Sequence, residues 1–230
     1  MSVELEVVRE NLAAARAAIA AAAQRSGRDA AAVELLAAVK YVAAEDMATL
    51  AAAGIELVGE NRVEQLLAKQ AAGPEFTWDF IGHLQSRKAR DLAGRVRLVH
   101  SLSTLSAAER LDRSSDTPMA CLVEVNVAGE DSKQGLGPDA LDEFLGAMAA
   151  LANIRIEGLM TMPPLAASAE ASRPYFAALR ELAGALAGRW APRHRFDRLS
   201  MGTSQDYAVA VEEGATIVRL GSTLYRRSSV

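Results

Sequence analysis

The sequence predicts a single (β/α)8 barrel of the TIM type, preceded by one extra helix, on three observations. Eight short runs rich in branched apolar residues recur along the chain. Alanine- and leucine-rich helical stretches separate them, and nearly every run leaves a small or polar residue at its end or just beyond it. Successive parallel strands need a crossover of helical length to bring the chain back, so this alternation reads as a parallel sheet. A doubly wound open sheet would share the alternation, and the count of eight is what favours closure.

In chain order, Leu5, Val8, Leu12, Ala15 and Ile19 recur at three- and four-residue spacing, which makes the first segment an amphipathic helix that stops near Gly27. The first strand is expected over Glu34 to Val39. The others follow over Glu56 to Gly59, Trp78 to Gly82, Arg97 to His100, Ala120 to Val127, Ile154 to Met160, Arg198 to Met201 and Ile217 to Leu220. Ser114-Ser-Asp-Thr-Pro118 is a turn before the fifth strand, and Pro163-Pro-Leu-Ala-Ala-Ser168 is a loop after the sixth. No low-complexity linker divides the chain, so residues 1–230 read as one domain.

Half of the residues are hydrophobic but only 5% are aromatic, so the core is built mainly from Leu, Val, Ile and Ala. The net charge of −4, with acids and bases interspersed, leaves no broad basic footprint for nucleic acid and favours a small soluble ligand. Cys121, the sole cysteine, permits no intrachain disulfide and sits in a run that reads as a buried strand. The N-terminus carries acids where a secretory signal needs bases, and no apolar run reaches membrane-spanning length. These features point to the cytoplasm and away from a membrane. His100 and His194 lack a spacing that suggests a metal, so no metal site is expected.

In a barrel of this kind the loops after the strands build the functional face. The residues at those ends are Lys40, Asn61, His83, Ser101, Asn126, Met160, the segment Ser200-Met-Gly202-Thr203-Ser204, and Arg219 with Gly221 and Ser222. Lys40 follows the apolar run Leu35-Leu-Ala-Ala-Val39, which is expected to bury its stem and desolvate its amine; a desolvated amine is nucleophilic and suited to a Schiff base. Taken alone, a lysine at a strand end more readily snorkels into solvent. The two glycine-containing turns, at Ser200 to Ser204 and Gly221 to Thr223, supply amides and hydroxyls suited to a phosphate, and they follow strands seven and eight, where barrels commonly place one. Each turn by itself could be a plain helix cap. The alternation Ile217, Val218, Arg219, Leu220 turns Arg219 toward the barrel interior, either onto a ligand or into an ion pair with a carboxylate.

These residues are the ones by which the chain resembles the pyridoxal phosphate homeostasis protein family over almost its full length. The match comprises Leu35-Leu-Ala-Ala-Val-Lys40, Gly59-Glu-Asn-Arg62, Phe80-Ile-Gly-His-Leu-Gln85, Val125-Asn126 with Asp131-Ser-Lys133, Gly158-Leu-Met160, Leu199-Ser-Met-Gly202 and Val218-Arg-Leu-Gly221. The resemblance implies a fold-type III barrel like the N-terminal domain of alanine racemase, with pyridoxal 5'-phosphate (PLP) covalently on Lys40. It also implies phosphate contacts from Ser204, Gly221 and Ser222, with Arg219 near the ring nitrogen and Asn61 near the ring. The chain departs from the family at Tyr41-Val-Ala43, where Thr-Lys-Pro is usual, at Thr203, and in its basic ending Leu224-Tyr-Arg-Arg227.

The leading expectation is a monomeric, non-catalytic protein that carries PLP for vitamin B6 homeostasis and serves PLP-accepting apoenzymes. It is motivated by the chain ending soon after the eighth strand, without the domain that supplies a racemase's second acid/base. The alternative is a minimal PLP-dependent amino-acid racemase or another Schiff-base barrel enzyme, with Tyr41 or His83 as the missing acid/base.

Overall fold

In the computed structural model, which describes residues 3–130 and 134–227, eight parallel strands close into a barrel in chain order. They are β1 (Glu34–Ala38), β2 (Leu57–Glu60), β3 (Thr77–Phe80), β4 (Leu98–Leu102), β5 (Met119–Glu124), β6 (Ile154–Met160), β7 (Arg198–Thr203) and β8 (Ile217–Leu220). Closure is made by β8 pairing with β1, in the register Glu34 to Ile217 through Ala37 to Leu220. The helices are α1 (Leu5–Arg25), α2 (Met47–Ala52), α3 (Val63–Ala72), α4 (Ser86–Ala89), α5 (Leu105–Ser114), α6 (Leu141–Met148), α7 (Arg173–Trp190), α8 (Tyr207–Glu212) and α9 (Ser222–Tyr225). None of the described helices is long and apolar enough to cross a membrane.

Strand alternation sorts the apolar residues into two cores. Leu36, Leu98, Leu122, Met160 and Ile217 form a plug inside the barrel. Their out-facing neighbours, such as Ala37, Val99, Cys121, Leu159 and Val218, join the larger core beneath the helices. The plug makes the barrel a packed core rather than a pore. Truncating a fully buried member such as Leu36 to Ala should cost about 2–5 kcal/mol. The thiol of buried Cys121 is pushed up in pKa, first by desolvation and then by the charge of Glu157.

Helix α1 buries Val8, Leu12, Ala15 and Ile19, the stripe read from the sequence. Polar contacts hold it across the seam where the barrel closes. Asn11 Nδ2 donates to the carbonyls of Leu224 (3.3 Å) and Arg226 (2.9 Å). Just past the helix, Arg28 donates to Val211 O at 2.6 Å and Ala215 O at 2.9 Å.

Two sequence expectations need correction. Ser101 is inside β4, not beyond its end, because the β4–β5 register shifts between Val99 and Leu102 and prolongs the strand. Ser200 to Ser204 is likewise not a turn: β7 runs on through Thr203, with a register shift against β8 between Ser200 and Thr203. Gly202 makes that irregularity possible. Its φ is +90°, and a Cβ there would stand 2.5 Å from the Ala210 Cβ, so glycine is required by the close approach of α8.

Candidate functional site

A cavity of about 830 Å³ opens at the C-terminal ends of the strands, within the range of small-ligand sites. Lys40, Asn61, His83, Met160, Thr203, Ser204, Arg219, Gly221 and Ser222 all lie on its wall. Ser200 and Gly202 do not: Ser200 is fully buried below the wall, and Gly202 packs against α8. The motif Asp131-Ser-Lys133 lies outside the described residues.

The wall carrying Lys40 is fixed through its backbone. Buried Lys69, from α3, donates from Nζ to the carbonyl of Val39 at 2.7 Å and to Glu60 Oε2 at 2.5 Å. The other oxygen of Glu60 accepts from the N–H groups of Asn61 (2.7 Å) and Arg62 (3.3 Å). One buried ion pair therefore ties the chain just before Lys40 to the loop that presents Asn61. This accounts physically for Gly59-Glu-Asn-Arg62. The next loop comes so close that a Cβ on Gly82 would lie 2.0 Å from Asn61 O, and Ser101 Oγ donates to the Gly82 carbonyl.

The expectation that the Lys40 amine is desolvated is corrected. The strand ends at Ala38, Val39 is the last buried residue before the lysine, and Lys40 itself is exposed. Its Nζ stands 5.0 Å from the ring centroid of Tyr41, inside the range of a cation–π contact. The atypical Tyr41 thus lies against the amine.

Across the β1–β8 seam, the adjoining wall is built from side chains. Arg219 is buried, and its Nη1 donates to Ser200 O at 2.8 Å and to Ser200 Oγ, while Nη2 donates to Thr161 O at 2.9 Å. These acceptors replace the carboxylate ion pair that the sequence left open: no Arg219 salt bridge occurs among the described residues. Burial pushes its pKa down to about 10, against the opposing charges of Glu124 and Asp206. The ends of β7 and β8 meet where Gly221 N–H donates to Ser204 Oγ at 3.4 Å. Ser222 opens α9, whose first N–H groups have no acceptor within the helix. With the hydroxyls of Ser204 and Ser222, these are the donors a phosphate requires.

Glu124 was not singled out from the sequence. Its side chain lines the cavity, it is 8% exposed, and its Oε2 is buried without a partner. Desolvation raises its pKa, while the charge of Arg219 pulls it down. A signal was available, since Ala120, Leu122 and Glu124 alternate onto one strand face and that face is the interior. The Tyr225 hydroxyl, also on the wall, is buried without a partner too. An amine, a cluster of phosphate donors, a buried guanidinium and two orphaned polar groups in one cavity fit a small, polar, phosphorylated carbonyl compound such as PLP.

Fold and site together define a barrel of the alanine racemase N-terminal domain class, whose family model matches residues 10–229. The chain belongs within it to the pyridoxal phosphate homeostasis protein family. It is 39% identical to the pyridoxal phosphate homeostasis protein of Pseudomonas aeruginosa, covering 96% of each chain. It is also 39% identical to that of Aquifex aeolicus, over 89% of this chain and 91% of the other. PipY of Synechococcus elongatus, solved with PLP bound, superposes with a TM-score of 0.80 at 33% identity, over 95% of this chain and 100% of that one. An alanine racemase from Clostridium difficile shares the fold alone, with a TM-score of 0.73 at 14% identity; the chain spans 59% of its length.

Proposed function

We propose that this protein binds PLP reversibly, holding it covalently through the Lys40 amine, and so buffers the intracellular supply of the cofactor. The observation that carries the reading is the meeting of Lys40, Arg219 and the Ser204, Gly221 and Ser222 donors around one cavity. Family membership, and a relative solved with PLP bound, support it. When bound, PLP supplies an aldehyde for an amine and a ring that can act as an electron sink.

The chain's own residues explain why holding is favoured over turnover. Lys40 is the nucleophile, and its exposure gives water and competing amines access to the same position. Ser204, Gly221 and Ser222 anchor the phosphate. Arg219 would face the ring nitrogen of the bound cofactor; a guanidinium would offer that nitrogen no readily transferable proton, which would weaken the electron sink that amino-acid chemistry requires. The protein works as a cytoplasmic monomer that passes its cofactor to apoenzymes.

Saturating the protein with PLP and reducing with borohydride should fix one cofactor on Lys40, read by peptide mass spectrometry. An unmodified Lys40 in saturated protein would overturn the reading. A second reading, a racemase using the same cofactor, is favoured by Tyr41 and His83 standing on the wall with Lys40. Chiral analysis after incubation of loaded protein with single L-amino acids decides between them: accumulating D-isomer establishes the enzyme, and its absence leaves the carrier.

A further inference from the structure

A line of hydrogen-bonded side chains runs through the barrel from the cavity wall to the opposite mouth. Arg219 donates to Ser200 Oγ. Ser200 Oγ is 2.8 Å from His100 Nδ1, and His100 Nε2 is 3.0 Å from Asp79 Oδ2. Arg97 grips Asp79 with Nε at 2.9 Å and Nη2 at 2.7 Å, and its Nη1 reaches Glu34, the first residue of β1. Arg198 Nη1 meets the other oxygen of Glu34 at 3.1 Å. Asp79, His100 and Ser200 are wholly buried, each from a different strand.

The chemistry of the two ends dictates where each proton sits. Arginine only donates, so Ser200 Oγ accepts from Arg219, and among the described residues His100 Nδ1 is the one acceptor in reach of the hydroxyl, so its proton goes to that nitrogen. That nitrogen must then carry a lone pair. At the far end Arg97 donates to both oxygens of Asp79, so the carboxylate accepts from His100 Nε2–H. His100 is therefore a neutral imidazole protonated on Nε2. Its surroundings agree: burial lowers its pKa, Asp79 opposes this, and the charges of Arg219 and Arg97 reinforce it. For Asp79, burial works against ionisation, and the bonds from His100 and Arg97 outweigh it to leave the pKa lowered.

We infer that Ser200, His100 and Asp79 are positioning residues, which hold the Arg219 guanidinium in one orientation at the ligand cavity through a line with a single proton arrangement. Ser200 thus acts on the ligand by way of Arg219, without touching the cavity. The inference rests on the PLP reading for its effect on binding, and on the hydrogen-bond geometry alone for its proton arrangement.

Two measurements separate these layers. In ligand-free protein labelled with ¹⁵N-histidine, with His100 assigned by comparison with His100→Gln, the ring should report the neutral Nε2–H tautomer from pH 6 to 8. An Nδ1–H tautomer, or an imidazolium at pH 7, would overturn the inference whatever the ligand. In loaded protein, Ser200→Ala and His100→Leu should each weaken PLP binding about tenfold, the size of one lost bond to a charged group. Each should also move the midpoint of the pH titration of the cofactor's visible band. His100→Gln should recover much of both effects, because its carbonyl accepts from Ser200 and its amide donates to Asp79. Wild-type affinity and midpoint in Ser200→Ala would refute the positioning role. If wild-type protein takes up no PLP, the functional reading fails, and the tautomer alone decides the relay.

Discussion

The two walls of the cavity hold their key groups in opposite ways. Lys40 is exposed, and only the backbone before it is fixed, by the buried Lys69–Glu60 pair. Arg219 is buried, and its guanidinium is locked by two carbonyls and a serine hydroxyl. A group that must make and break a covalent bond with a ligand gains from side-chain freedom on a rigid backbone. A group that only orients a ring gains from having no freedom at all. The difference teaches that charged residues near one site act at different depths. Lys69 and Lys40 are both lysines beside Val39, yet one is buried in an ion pair and the other stands exposed on the cavity wall.

Breaking the clamp is the strongest way to test that division. Lys69→Met should destabilise the protein by about 3–5 kcal/mol in urea unfolding, because it strands a buried carboxylate. The double variant Lys69→Met with Glu60→Leu should recover part of the loss. Full stability in the single variant would show the clamp to be dispensable.

A smaller effect is expected at the orphaned acid. The folded-state pKa of Glu124 is raised, so the folded protein binds the extra proton; stability from this group is present below the unfolded value and lost as pH rises through the folded one. Glu124→Gln should therefore raise the thermal midpoint relative to wild type at pH 8, and by progressively less toward pH 4. Equal differences at both pH values would mean that the carboxyl titrates alike in the folded and unfolded protein.

His100 and Asp79 carry the opposite sign. Both folded pKa values are lowered, so the stability they contribute is present above their unfolded values, near 6.5 and 3.9, and is lost as pH falls through the folded ones. Denaturation midpoints compared between wild type and His100→Gln should converge as pH drops from 7 toward 5. Parallel curves would place the pH dependence elsewhere, for instance at buried His194, whose pKa burial also lowers.

The smallest effect belongs to Lys40. Lys40→Ala should abolish the borohydride adduct yet leave stability within about 0.5 kcal/mol, as expected for an exposed side chain outside any network. A large loss of stability would mean that Lys40 is part of the structure as well.

Much of this architecture is legible in the sequence. Alternation and strand count gave the closed barrel, and the residues after each run gave most of the cavity wall. What stayed hidden was depth. Asp79 within β3, Glu60 beside Asn61 and Lys69 in α3 carry no mark in the sequence, because a sequence does not show which charge will meet a partner from a distant strand. Ser200 was read as a ligand contact because the length of β7 depends on how closely α8 approaches Gly202.

The sequence by itself determined which residues face inward, because a two-residue period leaves each strand only two faces. It likewise determined which loops share the functional rim, because parallel strands put all their C-terminal ends together. Only the tertiary structure decided which inward polar residues touch one another and where each proton must lie. Those contacts depend on the register between strands that are far apart in the chain, and a shift of one residue would turn every one of these side chains to the other face.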